Sequence, residues 1–308
     1  MATPLKIEPV DATFGAVVTG FRIPEIDDDT FQALHAAWLK YALLIFPGQH
    51  LTRAEQIAFA KRFGPLEFEM TAISNVKEDG TLRLEKDNDD RMKILKGNMG
   101  WHCDSTYMPV QAKGAVFCAE EVPTIGGHTG FADMRAAYDA LDEATRAKVE
   151  TLSAHHSLHY SQSKLGHDSS KAKADGEYSG YGFHNGPVPR RQLVKVHPET
   201  GRKSLMVGQR IRGILGLSDG ESAALLGFLN EHAQSPEFIY RHRWSVHDLV
   251  MWDNRCTQHI ALPDFDQTQP RLMLRCSLEG EVIGRLLEPG KARVDDREAL
   301  MQQLAAIA

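Results

Sequence analysis

The sequence predicts a mainly β fold, either a sandwich or a jelly-roll-like barrel, with helices packed on its outside. The first observation is that short apolar runs of strand length recur, at 114–122, 192–198, 203–208, 248–254 and 271–280. The second is that few helical stretches interrupt them, which argues against a regular alternation of strand and helix. The third is that no internal repeat and no flexible linker divides the 308 residues. We therefore expect a single domain over 1–308.

The N-terminal elements follow from local patterns. Residues 5–21 predict two short strands around a glycine turn, and residues 27–47 predict a helix with an acidic start that leads into a buried strand. In the next stretch, Thr52 as N-cap and Glu55 three residues later form a capping-box pattern, and Gly64 ends the helix.

Two later stretches predict helices, and one stretch predicts neither helix nor strand. Residues 131–152 and 218–234 have helical spacing and polar caps. Residues 161–191 are rich in Gly, Ser and Lys and have no periodicity for about thirty residues, which is typical of a functional lid or of an inert insertion. We favour the lid.

The composition limits the class of protein. Hydrophobic residues make up 42% of the chain and charged residues 25%, with a formal net charge of −6, values typical of a soluble globular protein without nucleic-acid or membrane partners. The chain has no run of 18 apolar residues and no signal-peptide pattern. Its four cysteines lack CxxC spacing, so neither a zinc ribbon nor a disulfide framework is indicated, and we expect a cytoplasmic protein.

His102 and Asp104, in "NMGWHCDSTYMP", are the first candidate metal ligands. In an extended strand they would face the same side while Cys103 faced the other. A single pair of this kind is more often a polar surface pair. A third candidate ligand is His259, which follows the buried-looking strand that ends in "WDNR". Two histidines and one carboxylate form the facial triad of non-haem Fe(II) oxygenases, which leaves positions open for a cosubstrate and O2.

The remaining histidines and cysteines are less suited to metal binding. His155 and His159 would share a helical face, but no HExxH glutamate accompanies them and the run is equally typical of a strand. We interpret them as structural or cavity-wall residues. The cysteines are interpreted as small buried apolar residues.

Many motifs, in the same order along most of the chain, resemble the TauD/TfdA family of Fe(II)- and 2-oxoglutarate-dependent dioxygenases. They include "GAVVTG", "FPGQHLT", "WHCDSTYMP", "GGHTGF" and "WDNRCTQH". Within the family the chain is most similar to the aryloxyalkanoate dioxygenases, through "KILKGNMGWHCDSTYMPVQAKGAVF" and "HSLHYSQSKLGH". The resemblance implies a double-stranded β-helix (jelly-roll) core with flanking helices, and a homo-oligomer, either a dimer or a tetramer.

The resemblance also assigns roles to individual residues. His102, Asp104 and His259 match the iron ligands. Thr129 matches the threonine that hydrogen-bonds the distal carboxylate of 2-oxoglutarate, and Arg271 matches the arginine that forms a salt bridge to it. A bidentate guanidinium is independently well suited to neutralise a buried carboxylate.

Two further residues are candidates for substrate binding. Arg275 lies four residues after Arg271 on the same predicted strand face, and it matches an arginine that contacts the anionic group of the substrate in taurine dioxygenases. It suggests a carboxylate or sulfonate substrate; the alternative is a strand arginine paired with a surface acid. Asn98 matches an active-site asparagine near the substrate. The apolar stretch 70–73 suggests contact with an aryl or alkyl body.

The sequence therefore predicts an enzyme that uses Fe(II), 2-oxoglutarate and O2 to hydroxylate an unactivated C–H bond of a small anionic substrate, with release of succinate and CO2. Cleavage of an aryloxyalkanoate ether is one such reaction; a taurine or alkylsulfonate dioxygenase and a natural-product hydroxylase are alternatives within the family. A zinc hydrolase with the same three ligands would leave Thr129 and Arg271 unexplained. A non-catalytic 2-oxoglutarate-binding protein would fail to bind iron.

Overall fold

The largest sheet has seven strands. The computed structural model describes residues 5–84, 90–108, 110–164 and 189–280. The strands of this sheet are β1 (Lys6–Pro9), β2 (Ala16–Thr19), β3 (Leu43–Phe46), β4 (Leu66–Ser74), β5 (Gly114–Glu121), β13 (Leu249–Asp253) and β15 (Leu272–Leu278). Their spatial order is β1-β2-β3-β13-β5-β15-β4, and all neighbours are antiparallel except β2 and β3.

Smaller sheets complete the β structure. One has the order β12-β6-β14 and contains β6 (Thr129–Asp133), β12 (Ile239–His242) and β14 (Thr257–Ala261). Another has the order β11-β7-β8 and contains β7 (Ser153–His156), β8 (Arg190–Gln192) and β11 (Ile211–Ile214). The strands β9 (Val194–Val196) and β10 (Lys203–Leu205) form a pair. The predicted fold class, mainly β with a jelly-roll core, is confirmed.

Strand β13 is buried on both faces, which explains its unbroken apolar sequence. Val250 and Trp252 belong to the core that also contains Phe131 of β6, so they pack between the seven-stranded sheet and the β12-β6-β14 sheet. Leu249 and Met251 face the opposite way and belong to the core under the N-terminal helices. Each fully buried side chain of this size contributes about 1.5–3 kcal/mol. The Trp252 indole on this strand lies against the His259 ring of β14, with the ring centroids 4.7 Å apart.

Seven α-helices pack around the sheets in the described part of the chain. They are α1 (Asp28–Tyr41), α2 (Arg53–Arg62), α3 (Asp90–Gly97), α4 (Met134–Asp139), α5 (Glu143–Glu150), α6 (Leu158–Lys164) and α7 (Asp219–Ala233). The predicted capping box is present: the hydroxyl of Thr52 accepts the Glu55 N–H, and the Glu55 carboxylate accepts the Thr52 N–H at 2.7 Å. No helix among the described residues is long and apolar enough to cross a membrane.

The predicted helix over 131–152 is only partly correct. Its first three residues belong to β6, which pairs with strands on both sides, and the helical part is divided into α4 and α5. The Asp133 carboxylate accepts the N–H groups of Arg135 and Ala136, so helix α4 begins only after Asp133. Pairing of Phe131 within a buried sheet outweighs the local helical spacing.

The predicted lid at 161–191 lies largely outside the described residues, because 165–188 are not among them. Its described C-terminal end lies close to the candidate metal ligands. The buried guanidinium of Arg191 donates to the carbonyl oxygens of Thr106 and Met108, both at 2.6 Å, in the segment that follows Asp104. A lid over the site remains a prediction.

Candidate metal centre and anion site

The three predicted metal ligands come from two chain segments that pair side by side. The N–H of His102 donates to the carbonyl of His259 at 3.1 Å, and the reverse bond measures 2.9 Å. Asp104 lies in the turn that follows rather than in a strand, and Ser105 next to it has a φ of 54°. One potential donor atom from each of the three side chains lies within 4.8 Å of the other two.

The hydrogen bond of the His102 imidazole and the spacing of the donors fit a metal ion. Nδ1 of His102 lies 2.7 Å from the Gly100 carbonyl oxygen, so it carries the proton and Nε2 has a free lone pair. That Nε2 is buried without a hydrogen-bond partner in the described structure and lies 3.7 Å from an Asp104 oxygen. Nε2 of His259 lies 3.8 Å from the other Asp104 oxygen. These distances are too long for hydrogen bonds, whereas two donors about 2.1 Å from one ion are at most about 4.2 Å apart.

Burial and neighbouring charges set the protonation of the three ligands. Burial lowers the pKa of both imidazoles, to about 4 for His259, so both are neutral near pH 7. Burial alone would raise the pKa of Asp104, but the charge of Arg275 outweighs it and holds this pKa well below its usual range. Nη1 of Arg275 lies 3.0 Å from an Asp104 oxygen. Two neutral nitrogens and one anionic oxygen are therefore ready to bind a divalent cation.

Cys103 lies away from this donor set, as predicted. Its buried Sγ donates to the Thr257 carbonyl at 3.3 Å, and burial raises the pKa of the thiol to about 12. The other three cysteines are also buried, and none of the four forms a disulfide.

Arg271 and Thr129 form a candidate site for an anion. The Arg271 guanidinium is buried and donates through Nε to the Gly127 carbonyl at 3.2 Å. Burial lowers its pKa to about 10, so it remains charged, and no carboxylate in the described structure lies within 4 Å of it. The Thr129 hydroxyl accepts the indole N–H of Trp244 at 2.9 Å, which leaves its own proton free to donate.

Trp244 contacts the candidate anion site through Thr129, and the sequence reasoning did not single it out. An indole N–H that is largely buried needs an acceptor. Its partner, Thr129, is 115 residues away, so no local pattern identifies the pair.

A cleft opens beside Arg271. Its walls are mostly apolar and include Ile73 from the predicted 70–73 stretch, together with Leu95 and Phe265. Asn98, predicted to lie near the substrate, is also in the wall. Arg275 is not: it lies against Asp104, so the two arginines contact different parts of the site.

Two other groups of potential ligands are better explained without a metal. Donor atoms of His197, Asp253 and Cys256 also lie within 4.8 Å of one another. Nδ1 of His197 accepts two backbone N–H groups, at 3.2 and 3.1 Å, so its Nε2 carries the proton and donates to Asp253 at 2.9 Å. Arg255 donates twice more to that carboxylate, which is therefore satisfied by hydrogen bonds. The run 155–160 changes from β7 to α6, so it does not form one helical face.

Comparison with known proteins gives the class of the chain. Residues 6–277 match the family described as "Taurine catabolism dioxygenase TauD, TfdA family". The chain therefore belongs to the TauD/TfdA family. The predicted enzyme class, a 2-oxoglutarate-dependent non-haem iron dioxygenase, is confirmed.

Individual relatives support the predicted subgroup. The chain is 64% identical over 281 residues to an (S)-phenoxypropionate/alpha-ketoglutarate-dioxygenase of Sphingobium herbicidovorans, with 91% of this chain and 97% of the relative covered. A protein of the same name from Delftia acidovorans is 54% identical over 287 residues, with the same shares covered. The solved structure "AAD-2 in complex with Mn(II) and N-oxalylglycine" has a TM-score of 0.82 and 37% identity, covering 92% of this chain and 99% of that one.

Proposed function

We propose that this enzyme hydroxylates the carbon that bears the ether oxygen of an aryloxyalkanoate, above all an aryloxypropionate. The observation that carries the proposal is the 64% and 54% identity, over nearly the whole length, to two relatives named (S)-phenoxypropionate dioxygenases. Hydroxylation converts the ether carbon into a hemiketal. The C–O bond to the aryl group then breaks, which releases the phenol and leaves a 2-oxo acid.

In this proposal five residues hold the iron and the cosubstrate. His102, Asp104 and His259 would bind Fe(II) through two nitrogens and one oxygen and leave positions open. When bound, Fe(II), 2-oxoglutarate and O2 supply the oxidation: one oxygen atom enters the substrate C–H bond and the other enters succinate, with loss of CO2. The buried guanidinium of Arg271 would form a salt bridge with the distal carboxylate of 2-oxoglutarate. The Thr129 hydroxyl would donate a hydrogen bond to the same carboxylate.

Arg275 and Asn98 are the proposed substrate-binding residues. The charge of Arg275 lies beside Asp104, where it would attract a substrate carboxylate towards the metal. Asn98 lies in the wall of the cleft, and the surrounding apolar side chains are well suited to an aromatic ring. An aryl acid therefore suits this arrangement of charge and apolar surface better than a small zwitterion.

The test is a substrate panel with the purified chain, Fe(II) and 2-oxoglutarate. The panel contains (R)- and (S)-2-phenoxypropionate, phenoxyacetate and an alkylsulfonate, and the products measured are succinate and phenol. We expect equal amounts of phenol and succinate from a phenoxypropionate, with none when Fe(II) or 2-oxoglutarate is omitted. Coupled turnover of the alkylsulfonate alone would contradict the proposed substrate, and phenol release with Zn(II) and no 2-oxoglutarate would contradict the enzyme class.

We also propose that the chain works in the cytoplasm as a homo-oligomer, either a dimer or a tetramer, and that 1–308 form one domain. The four free, buried thiols support a reducing compartment. Light scattering of the purified protein measures the oligomeric state, and a monomer at micromolar concentration would contradict it.

A further inference from the structure

Asn254 holds the backbone of the proposed metal ligand Asp104 from a segment 150 residues away in the sequence. It is fully buried in the turn between β13 and β14. Its Oδ1 accepts the Asp104 N–H at 2.7 Å, and its Nδ2 donates to the carbonyls of Asp104 at 3.0 Å and Ala112 at 2.7 Å. Rotating the amide would place its oxygen against two carbonyl oxygens, so this orientation is fixed.

Asn75 holds the backbone of Arg271 in the same way. It lies directly after β4 and is buried. Its Oδ1 accepts the Arg271 N–H at 2.8 Å, and its Nδ2 donates to the carbonyls of Gln267 at 3.1 Å and Gln269 at 2.8 Å. The backbone N–H of Asn75 also donates to the Arg271 carbonyl at 3.3 Å. Each asparagine thus uses one acceptor and two donors of its amide.

The two held residues occupy comparable places in the fold. Asp104 follows the single bridge between His102 and His259, and Arg271 lies one residue before β15. Neither is inside a strand, where ladder hydrogen bonds would fix the backbone. An asparagine amide presents the same donor and acceptor as a peptide group, so it replaces the missing strand partner. Such support is important because a misplacement of about 1 Å can cost about 100-fold in rate.

We propose that Asn254 and Asn75 are positioning residues that separately set the affinities for the metal and for the cosubstrate. Asn254 acts through Asp104 on the metal, and Asn75 acts through Arg271 on the distal carboxylate. The inference rests on the proposed function of the site, and it adds two residues that bind neither ligand through their own side chains.

The test is a crossed measurement on Asn254→Ala and Asn75→Ala. Mn(II) affinity is measured by the electron paramagnetic resonance of the free ion, and N-oxalylglycine affinity by calorimetry at saturating Mn(II). We expect Asn254→Ala to weaken Mn(II) binding by about 10- to 100-fold and to leave N-oxalylglycine binding unchanged. We expect Asn75→Ala to weaken N-oxalylglycine binding by about 10-fold and to leave Mn(II) binding unchanged.

Asn230→Ala is the matched control. Asn230 lies in α7, and its Nδ2 donates to the Leu226 carbonyl at 2.7 Å, within the same helix. It should change neither affinity. Circular dichroism checks the fold of each variant, and Asn254→Ser repeats the test if the alanine variant does not fold.

Four outcomes separate the possibilities. Equal loss of both affinities in both variants would show general loosening and overturn the proposal, as would two unchanged affinities. A wild-type chain that binds no Mn(II) would instead overturn the proposed function. The proposal is supported only if Asn254→Ala weakens Mn(II) binding alone and Asn75→Ala weakens N-oxalylglycine binding alone.

Discussion

Replacement of Arg271 by lysine tests the proposed anion site most sharply. The guanidinium is buried, makes one hydrogen bond to a carbonyl, and has no carboxylate partner within 4 Å in the described structure. Loss of one partner from a buried, hydrogen-bonded charge pair costs about 2–5 kcal/mol. Lysine keeps the charge but cannot make the bidentate contact of a guanidinium. We therefore expect the binding of 2-oxoglutarate to weaken by about 2–3 kcal/mol. That corresponds to a KM for 2-oxoglutarate raised by about 30- to 150-fold.

The assay is succinate formation as a function of 2-oxoglutarate concentration at a saturating aryloxypropionate. Arg241→Lys is the control, because Arg241 is an exposed arginine of β12 and its replacement should leave the KM unchanged. A KM for 2-oxoglutarate that stays normal in Arg271→Lys, with a raised KM for the aryloxy acid, would refute the assignment. It would place Arg271 on the substrate instead.

Three further predictions concern other parts of the site. His102→Ala, Asp104→Ala and His259→Ala should each abolish Fe(II)-dependent succinate formation, measured by chromatography; full activity in any one would remove that residue from the metal site. Arg275→Ala should raise the KM of the aryloxy acid far more than that of 2-oxoglutarate in the same assay, and the reverse would show that Arg275 serves the cosubstrate. Burial raises the pKa of Glu67 to about 7, despite the hydrogen bond from Ser105, so the folded chain retains a proton that the unfolded chain releases at lower pH. The stability from this group is complete below the pKa of the unfolded chain and is lost as the pH rises through 7. Glu67→Gln should therefore be more stable than wild type at pH 8, by about 3 kcal/mol in urea unfolding, but not at pH 4.5. The same difference at both pH values would contradict this.

Local patterns predicted the parts of the fold that depend on local physics. The capping box of Thr52 and Glu55 needs only a turn of backbone, and the unbroken apolar run of β13 reflects burial on both faces. The helix predicted to start at Phe131 failed because pairing with β12 and β14 is a tertiary effect that no local window contains.

The candidate site divides in the same way. The side chains that would touch ligands, such as His102 and Arg271, were identified from motifs. The side chains that support them were not, because Asn254, Asn75 and Trp244 act through hydrogen bonds across 115 to 196 residues. The sequence around an asparagine or a tryptophan does not identify the distant group with which its side chain forms a hydrogen bond.

The measurement that tests the account most directly is a crystal structure of the chain with Mn(II) and N-oxalylglycine. The account predicts Mn(II) bound by Nε2 of His102, Nε2 of His259 and the carboxylate of Asp104, with the distal carboxylate of N-oxalylglycine on the guanidinium of Arg271. A metal bound outside these three side chains, or a distal carboxylate held by another cation, would contradict it.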